Sequence, residues 1–222
     1  MGKKLFLVLT VVLLSLGVAH AQDTKFLQLS LFNPVQLVPE DQSIEGVRLG
    51  LLYTVNQDVS GFSFTFGVNR AKGNVQGVEW ALGNWVEGDF HGWQAGAVNY
   101  TAKRFVGFQD GYVNITQGDF TGLQWGLVNW TEGFVHGMQG GFVNISKNDF
   151  IGLALGAVNY NEGTFKGVQL GFVNYAGTVT KGLQFGFVNW TNSLNNGLQI
   201  GLGNYNGNKK PYEFLPIVNW SF

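Results

Sequence analysis

The sequence has no cysteine, only four prolines and three histidines, and charged side chains make up 12% of its 222 residues. Without cysteine there is no disulfide framework, no thiolate metal site and no lipid-modified N-terminal cysteine. The formal net charge is −1 and no basic run exceeds Lys103-Arg104 or Lys209-Lys210, so nucleic acid is not an expected partner. Beyond residue 21 no apolar run approaches the ~20 residues of a spanning helix. There is no Gly-x-Ser-x-Gly elbow, and no glycine-rich segment opens a helix, so hydrolase and phosphate-loop chemistry are not expected. His91 and His136 stand 45 residues apart with no second ligand beside either, which argues against a zinc site.

What is abundant is glycine, 33 residues, with 19 phenylalanines and 7 tryptophans. They recur in a fixed pattern. Gly122-Leu123-Gln124-Trp125-Gly126-Leu127-Val128-Asn129-Trp130 returns with small changes every fifteen residues, and an asparagine marks each step from Asn69 to Asn219. Asn56, thirteen before Asn69, reads as the same position in a degenerate copy. Such a period decides the architecture before any single residue does. The chain before it, Met1–Ala21, has Lys3 and Lys4, an apolar stretch from Leu5 to Val18 and a small-x-small site at Ala19-His20-Ala21. It reads as a signal peptide, so residues 22–222 are expected to form one exported, repeat-built β domain.

Within a copy, apolar and small residues alternate with the period of a strand. Phe120, Gly122, Gln124, Gly126, Val128 and Trp130 fall on one side, and Thr121, Leu123, Trp125, Leu127 and Asn129 on the other. Short segments such as Thr131-Glu132-Gly133-Phe134 carry turn formers. Folding adjacent copies about such a loop sets Trp130 against Val135 and Gly126 against Gln139, where a larger residue than glycine would clash. The expected fold is therefore all-β: an antiparallel meander of about 12–14 strands closed as an outer-membrane-type β-barrel, its variable apolar rows toward lipid. The alternative is a β-solenoid, one coil per fifteen residues, in which Thr101, Thr116, Thr131, Ser146 and Thr191 would form a hydroxyl ladder. Asp110 objects to the barrel, since it puts a charge in the middle of the apolar rows. It could mark a contact between protomers.

The copies Gly122–Asn129, Gly167–Asn174 and Gly182–Asn189 resemble the leptospiral-type surface repeat-containing proteins, built on Gly-x-Gln-x-Gly-x-Val-Asn repeats. The opening Leu29-Ser30-Leu31-Phe32-Asn33-Pro34 and the ending Leu215-Pro216-Ile217-Val218-Asn219-Trp220 look like the same family. Glu79 and Ala154 depart from the pattern where it has glutamine, and Ala81 where it has glycine. The resemblance implies a place in the outer membrane or on the cell surface and supplies no catalytic residue and no cofactor. The alternating end, Val218, Trp220 and Phe222, is similar to the C-terminal signal of bacterial outer-membrane barrels.

The functional expectation is a non-enzymatic outer-membrane or surface protein with a structural, narrow-pore or surface-interaction role and the lipid bilayer as partner. The alternative is a secreted solenoid or sandwich that binds glycans or host surfaces, an extracellular ligand of unknown identity. The carboxylates Glu87, Asp89, Asp119, Glu132, Asp149 and Glu162 lie in or beside loops and read as turn chemistry rather than a catalytic pair. Gly122, Gln124, Gly126, Val128, Asn129 and Trp130 read as architecture. Leu127→Arg is expected to block assembly, because Leu127 is assigned to lipid or a core.

Overall fold

The computed structural model describes residues 24–222, so the signal-peptide reading lies outside the described residues. It contains sixteen strands in one sheet. The first five are β1 (Thr24–Phe32), β2 (Val35–Gln36), β3 (Ser43–Gly50), β4 (Tyr53–Asn56) and β5 (Val59–Ala71). Then come β6 (Val75–Val86), β7 (Phe90–Thr101), β8 (Phe105–Thr116), β9 (Phe120–Thr131) and β10 (Val135–Ser146). The last six are β11 (Phe150–Leu155), β12 (Val158–Leu170), β13 (Val173–Phe185), β14 (Val188–Leu194), β15 (Gly197–Asn206) and β16 (Phe214–Ser221).

The pairing overturns the meander and the barrel. Between β8 and β9 the strands run parallel, with Phe105 beside Phe120, Gln109 beside Gln124 and Asn114 beside Asn129. The next pair repeats this step, with Trp130 beside Ile145 instead of Val135. Each copy is thus one coil of a β-solenoid, and like residues stack on like. The turn Thr131–Phe134 carries the chain up to the next coil rather than back along a hairpin. Buried side chains fill the coil.

Each strand bends, because a fifteen-residue coil must close on itself. One corner is at Leu127, which the register of β9 and β10 passes over between Gly126 and Val128. There the alternation slips by one residue. Before the corner Gln124 points inward; after it Asn129 and Thr131 do, while Val128 turns half outward. This is why strict alternation misplaced Asn129 with the apolar rows and Val128 with the glutamine. A second corner is at Gly122, whose φ of 133° suits only glycine. Gly126 also faces inward. A Cβ there would lie 2.2 Å from the Gly111 carbonyl oxygen and 2.6 Å from Asn114 Nδ2. The size limit at Gly126 is real but comes from the coil beneath, not from Gln139.

The interior has a narrow apolar strip and two polar ladders. Phe90, Phe105 and Phe120 stack with ring centroids 4.9 and 5.2 Å apart, and Phe150 stacks on Phe165 at 5.2 Å. The asparagine amides form a chain from Asn69 to Asn204. Asn114 Nδ2 donates to Asn129 Oδ1 at 2.9 Å, and Asn129 Nδ2 to Asn144 Oδ1 at 2.8 Å. The second amide hydrogen of Asn129 reaches the Gly140 carbonyl at 2.9 Å. Gln139 donates to Gln124, and Gln124 to Gln109, at 2.7 and 2.8 Å. Thr101, Thr116, Thr131, Ser146 and Thr191 are buried in one row, interrupted by Asn161 and Ala176; their hydroxyls do not bond one another, and those of Thr101, Thr116 and Thr131 reach the glutamine row at 3.3–3.4 Å. Buried amides are tolerable only because each donor and acceptor is matched at the same height.

The ends depart from the repeat. Thr54, not Asn56, pairs with Asn69 and accepts the asparagine's place in the ladder; Asn56 sits two rows on, beside Ala71. One extra residue at 66–67 restores the register with β6. At the other end β16 runs antiparallel to β15, so Asn219 lies beside Gln199 and receives no asparagine partner. It donates to Gln199 Oε1 at 3.1 Å and so closes the glutamine ladder. The hairpin of β1 and β2 and the reversed β16 end the stack, as terminal coils of a solenoid must.

Candidate interaction face

The solenoid buries its polar ladders and presents its apolar rows. In the row two before the asparagine, Leu82, Tyr112, Leu127, Phe142, Phe172, Phe187 and Leu202 are all more than half exposed, 56–72%. In the row four before it, Trp80, Trp125 and Phe185 are exposed at 48–55%. Leu127, expected against lipid or a core, stands on the outside of the solenoid. The two rows wall a trough floored by the inward-facing glycine row. It comprises two depressions of about 870 and 860 Å³, adjoining at Phe142 and Gly156. The row dips at Ala97 and Ala157, where the side chain is only a methyl.

Asp110 lies in this trough, half-buried between Ala95 and Trp125 of the adjacent coils. In the coils marked by Asn84 to Asn204 it is the one charge in the rows six, four and two before the asparagine. Lys166 and Lys181 stand side by side and exposed within β12 and β13, in the row eight before the asparagine, and most other charges gather around the turns. There the carboxylates do the turn chemistry expected of them. Asp89, Asp119 and Asp149 each accept a backbone N–H from the next coil, at 3.0, 2.8 and 2.8 Å. Glu87 pairs with Arg70, and Glu162 with Lys147, both at 2.5 Å. No two of these carboxylates converge on a cleft.

No family model, curated protein or solved structure matches this chain. The face is therefore read from its own chemistry. Gln124 and Asn129 are buried in the ladders, Gly122 and Gly126 shape corners, and Val128 and Trp130 are half-exposed, so the repeat residues do not meet at a pocket. His91 and His136 are both exposed in one row, three coils apart, roughly 14 Å at the spacing of neighbouring strands. Among the described residues no cluster of three metal-ligating side chains exists.

The aromatic row one after the asparagine is a further candidate, as a sugar-stacking strip. Trp85 stacks on Tyr100 with centroids 4.0 Å apart, and Trp190 on Tyr205 at 4.1 Å. In these pairs the ring faces that would carry a sugar meet a neighbouring ring, while Trp130 and Trp220 stack on no ring and each has a lysine over it, Lys147 and Lys209.

Sequence reasoning missed Arg48. It is fully buried and lies in the glutamine row, where its Nη2 meets Glu79 at 2.7 Å and its Nε donates to Ser63. Gln94 donates to the other Glu79 oxygen at 3.1 Å. Burial pushes the Glu79 carboxyl up and the Arg48 guanidinium down, and the pairing between them opposes both. Glu79 in place of glutamine was the signal that an opposite charge had to lie within one or two coils.

Proposed function

We propose that this chain is a non-enzymatic, exported structural protein of the cell surface that works by association through its apolar trough. One observation carries this reading: polar ladders fill the inside while the large apolar side chains stand in rows outside. The trough runs over ten coils, from Phe66 to Leu202, about 43 Å at the normal strand spacing. Seven side chains of one wall are more than half exposed, a contiguous apolar surface of the kind that marks an interaction site. The signal-peptide pattern and the resemblance to envelope repeat proteins support an exported location. The occupied ring faces of the aromatic row weigh against glycan stacking, and the turn-bound carboxylates against hydrolysis.

The test is Leu127→Arg. On this reading the variant folds, with a far-ultraviolet spectrum and melting temperature close to the native chain's, since an exposed site costs within about 0.5 kcal/mol. Its association is lost: the native chain is recovered from cells in a larger or envelope-bound form, and the variant as a free monomer. Leu127→Arg that folds and still associates would contradict the reading.

A further inference from the structure

We infer that the occupant of the trough is a lipid bilayer with an anionic surface, on which the rod lies flat; this rests on the association reading above.

The apolar face has no border along the rod. Beyond Phe66 it continues over a depression of about 740 Å³ walled by Leu31, Val35, Leu37 and Leu51. Beyond Leu202 it runs onto Ile217 of β16. The three depressions join, at Phe64 and Phe66 and again at Phe142 and Gly156. A folded partner leaves a bounded footprint with a polar rim. This surface stays apolar over both capped ends, which suits a partner without edges.

The two long sides are bordered by different chemistry. On one side, the row eight before the asparagine holds His91, His136, Lys166 and Lys181, all exposed. Glu45 of β3 is the one acid in that row among the described residues, far from the lysines at the other end. Lys166 and Lys181 are cross-strand neighbours, and no carboxylate lies within salt-bridge reach of either. Like charges side by side destabilise a sheet, and the phosphates of an anionic surface relieve that repulsion. On the other side runs the row one after the asparagine, with Trp85, Tyr100, Trp130, Tyr160, Tyr175 and Trp190 half-exposed or exposed. Trp and Tyr gather where a membrane meets water, because each joins an apolar ring to a polar group. The acids stand farther out. Glu87, Glu132 and Glu162 lie three after the asparagine, and Asp89, Asp119 and Asp149 ten before it. Apolar rows between lysines and a Trp/Tyr row, with the acids withdrawn, make the cross-section of an element that lies in a membrane interface.

The backbone suits lipid as well. Its strand hydrogen bonds run from coil to coil along the rod, so the face presents paired N–H and carbonyl groups. Asp110 sets the depth. A charge costs most at the midplane of a bilayer and little near the headgroups. A face that reaches only the boundary between headgroups and acyl chains keeps that cost small. The charged turns on the remaining sides likewise hold the rod on the bilayer instead of through it.

The test is co-sedimentation of the native chain with phosphatidylcholine vesicles, with and without phosphatidylglycerol, at low salt. Native protein should bind both, and the anionic vesicles about 25-fold more tightly, roughly fivefold for each lysine. Lys166→Gln combined with Lys181→Gln should bind the two kinds of vesicle alike. Leu127→Asp combined with Phe172→Asp changes two exposed sites and should keep the native far-ultraviolet spectrum. It should lose at least about tenfold in affinity for both vesicles. Native protein that binds neither vesicle would overturn the proposal, whether it sediments as a monomer or as a dimer. So would a lysine variant that still prefers anionic vesicles, or an aspartate variant that binds as the native chain does. In each of these events Leu127→Arg still reports on the broader reading, because loss of cellular association by a folded variant would show that the face works with another occupant.

Discussion

Gly122→Ala should be the most damaging single-methyl change in the repeat. Gly122 sits at φ 133°, and an added Cβ would lie 1.9 Å from the carbonyl oxygen of Gly107 in the coil beneath. The backbone conformation alone costs an L-residue about 1–3 kcal/mol. The overlap is with backbone, which cannot swing away as a side chain can. We expect a total loss of at least about 4 kcal/mol, in the exceptional range for one substitution. For a chain of this size that is a fall in melting temperature of roughly 8–16 °C, or failure to fold. Thr121→Ala, the exposed neighbour, serves as control and should change little. Equal melting temperatures for the two variants would mean that the corner at Gly122 is not where the coil turns.

The second large effect is expected at Glu79, and its sign runs against the repeat. Glu79→Gln restores the residue that most copies carry, and by resemblance alone should be neutral or stabilising. The Arg48 guanidinium 2.7 Å away reverses that expectation. Both side chains are fully buried, so the variant leaves a cation in the interior without its partner. Breaking one half of a buried pair costs about 3–5 kcal/mol. Arg48→Met combined with Glu79→Gln removes both charges and should recover most of the loss. Thermal unfolding of the two single variants and the double variant measures the coupling. Additive losses would show that the two side chains do not interact.

Much of this molecule is readable from its period. The fifteen-residue step, the turn segments, the glycine and asparagine rows and the turn role of Asp89, Asp119 and Asp149 all follow from spacing and residue type. The pairing direction does not, because a hairpin of two copies and a stack of two coils both satisfy alternation locally. The deciding signal was the sameness of Asn69 through Asn204. Antiparallel pairing sets Asn129 against a different row and gives its amide no reason to recur. Parallel stacking sets amide on amide, where each donates to the next. The slip of alternation at Leu127–Val128 was not legible, since nothing in that dipeptide marks a bend; the bend follows from closing the coil. The rows of Trp125 and Leu127 lie outside and Gln124 inside, as the barrel reading also has them. What changes is Asn129, which leaves the apolar side for the interior.

The central claim is parallel, in-register stacking at a distance of fifteen residues. Spin labels at Thr121→Cys and His136→Cys test it most directly, because both side chains are exposed and their backbones are paired. The solenoid predicts strong dipolar broadening for this pair, with backbones about 5 Å apart, and clearly weaker broadening for labels at Leu127→Cys and Met138→Cys, about 14 Å apart because Met138 lies beside Leu123. An antiparallel meander predicts the reverse, with residues 127 and 138 adjacent and 121 and 136 separated by roughly 26 Å. That second result would contradict the solenoid and the outward face together.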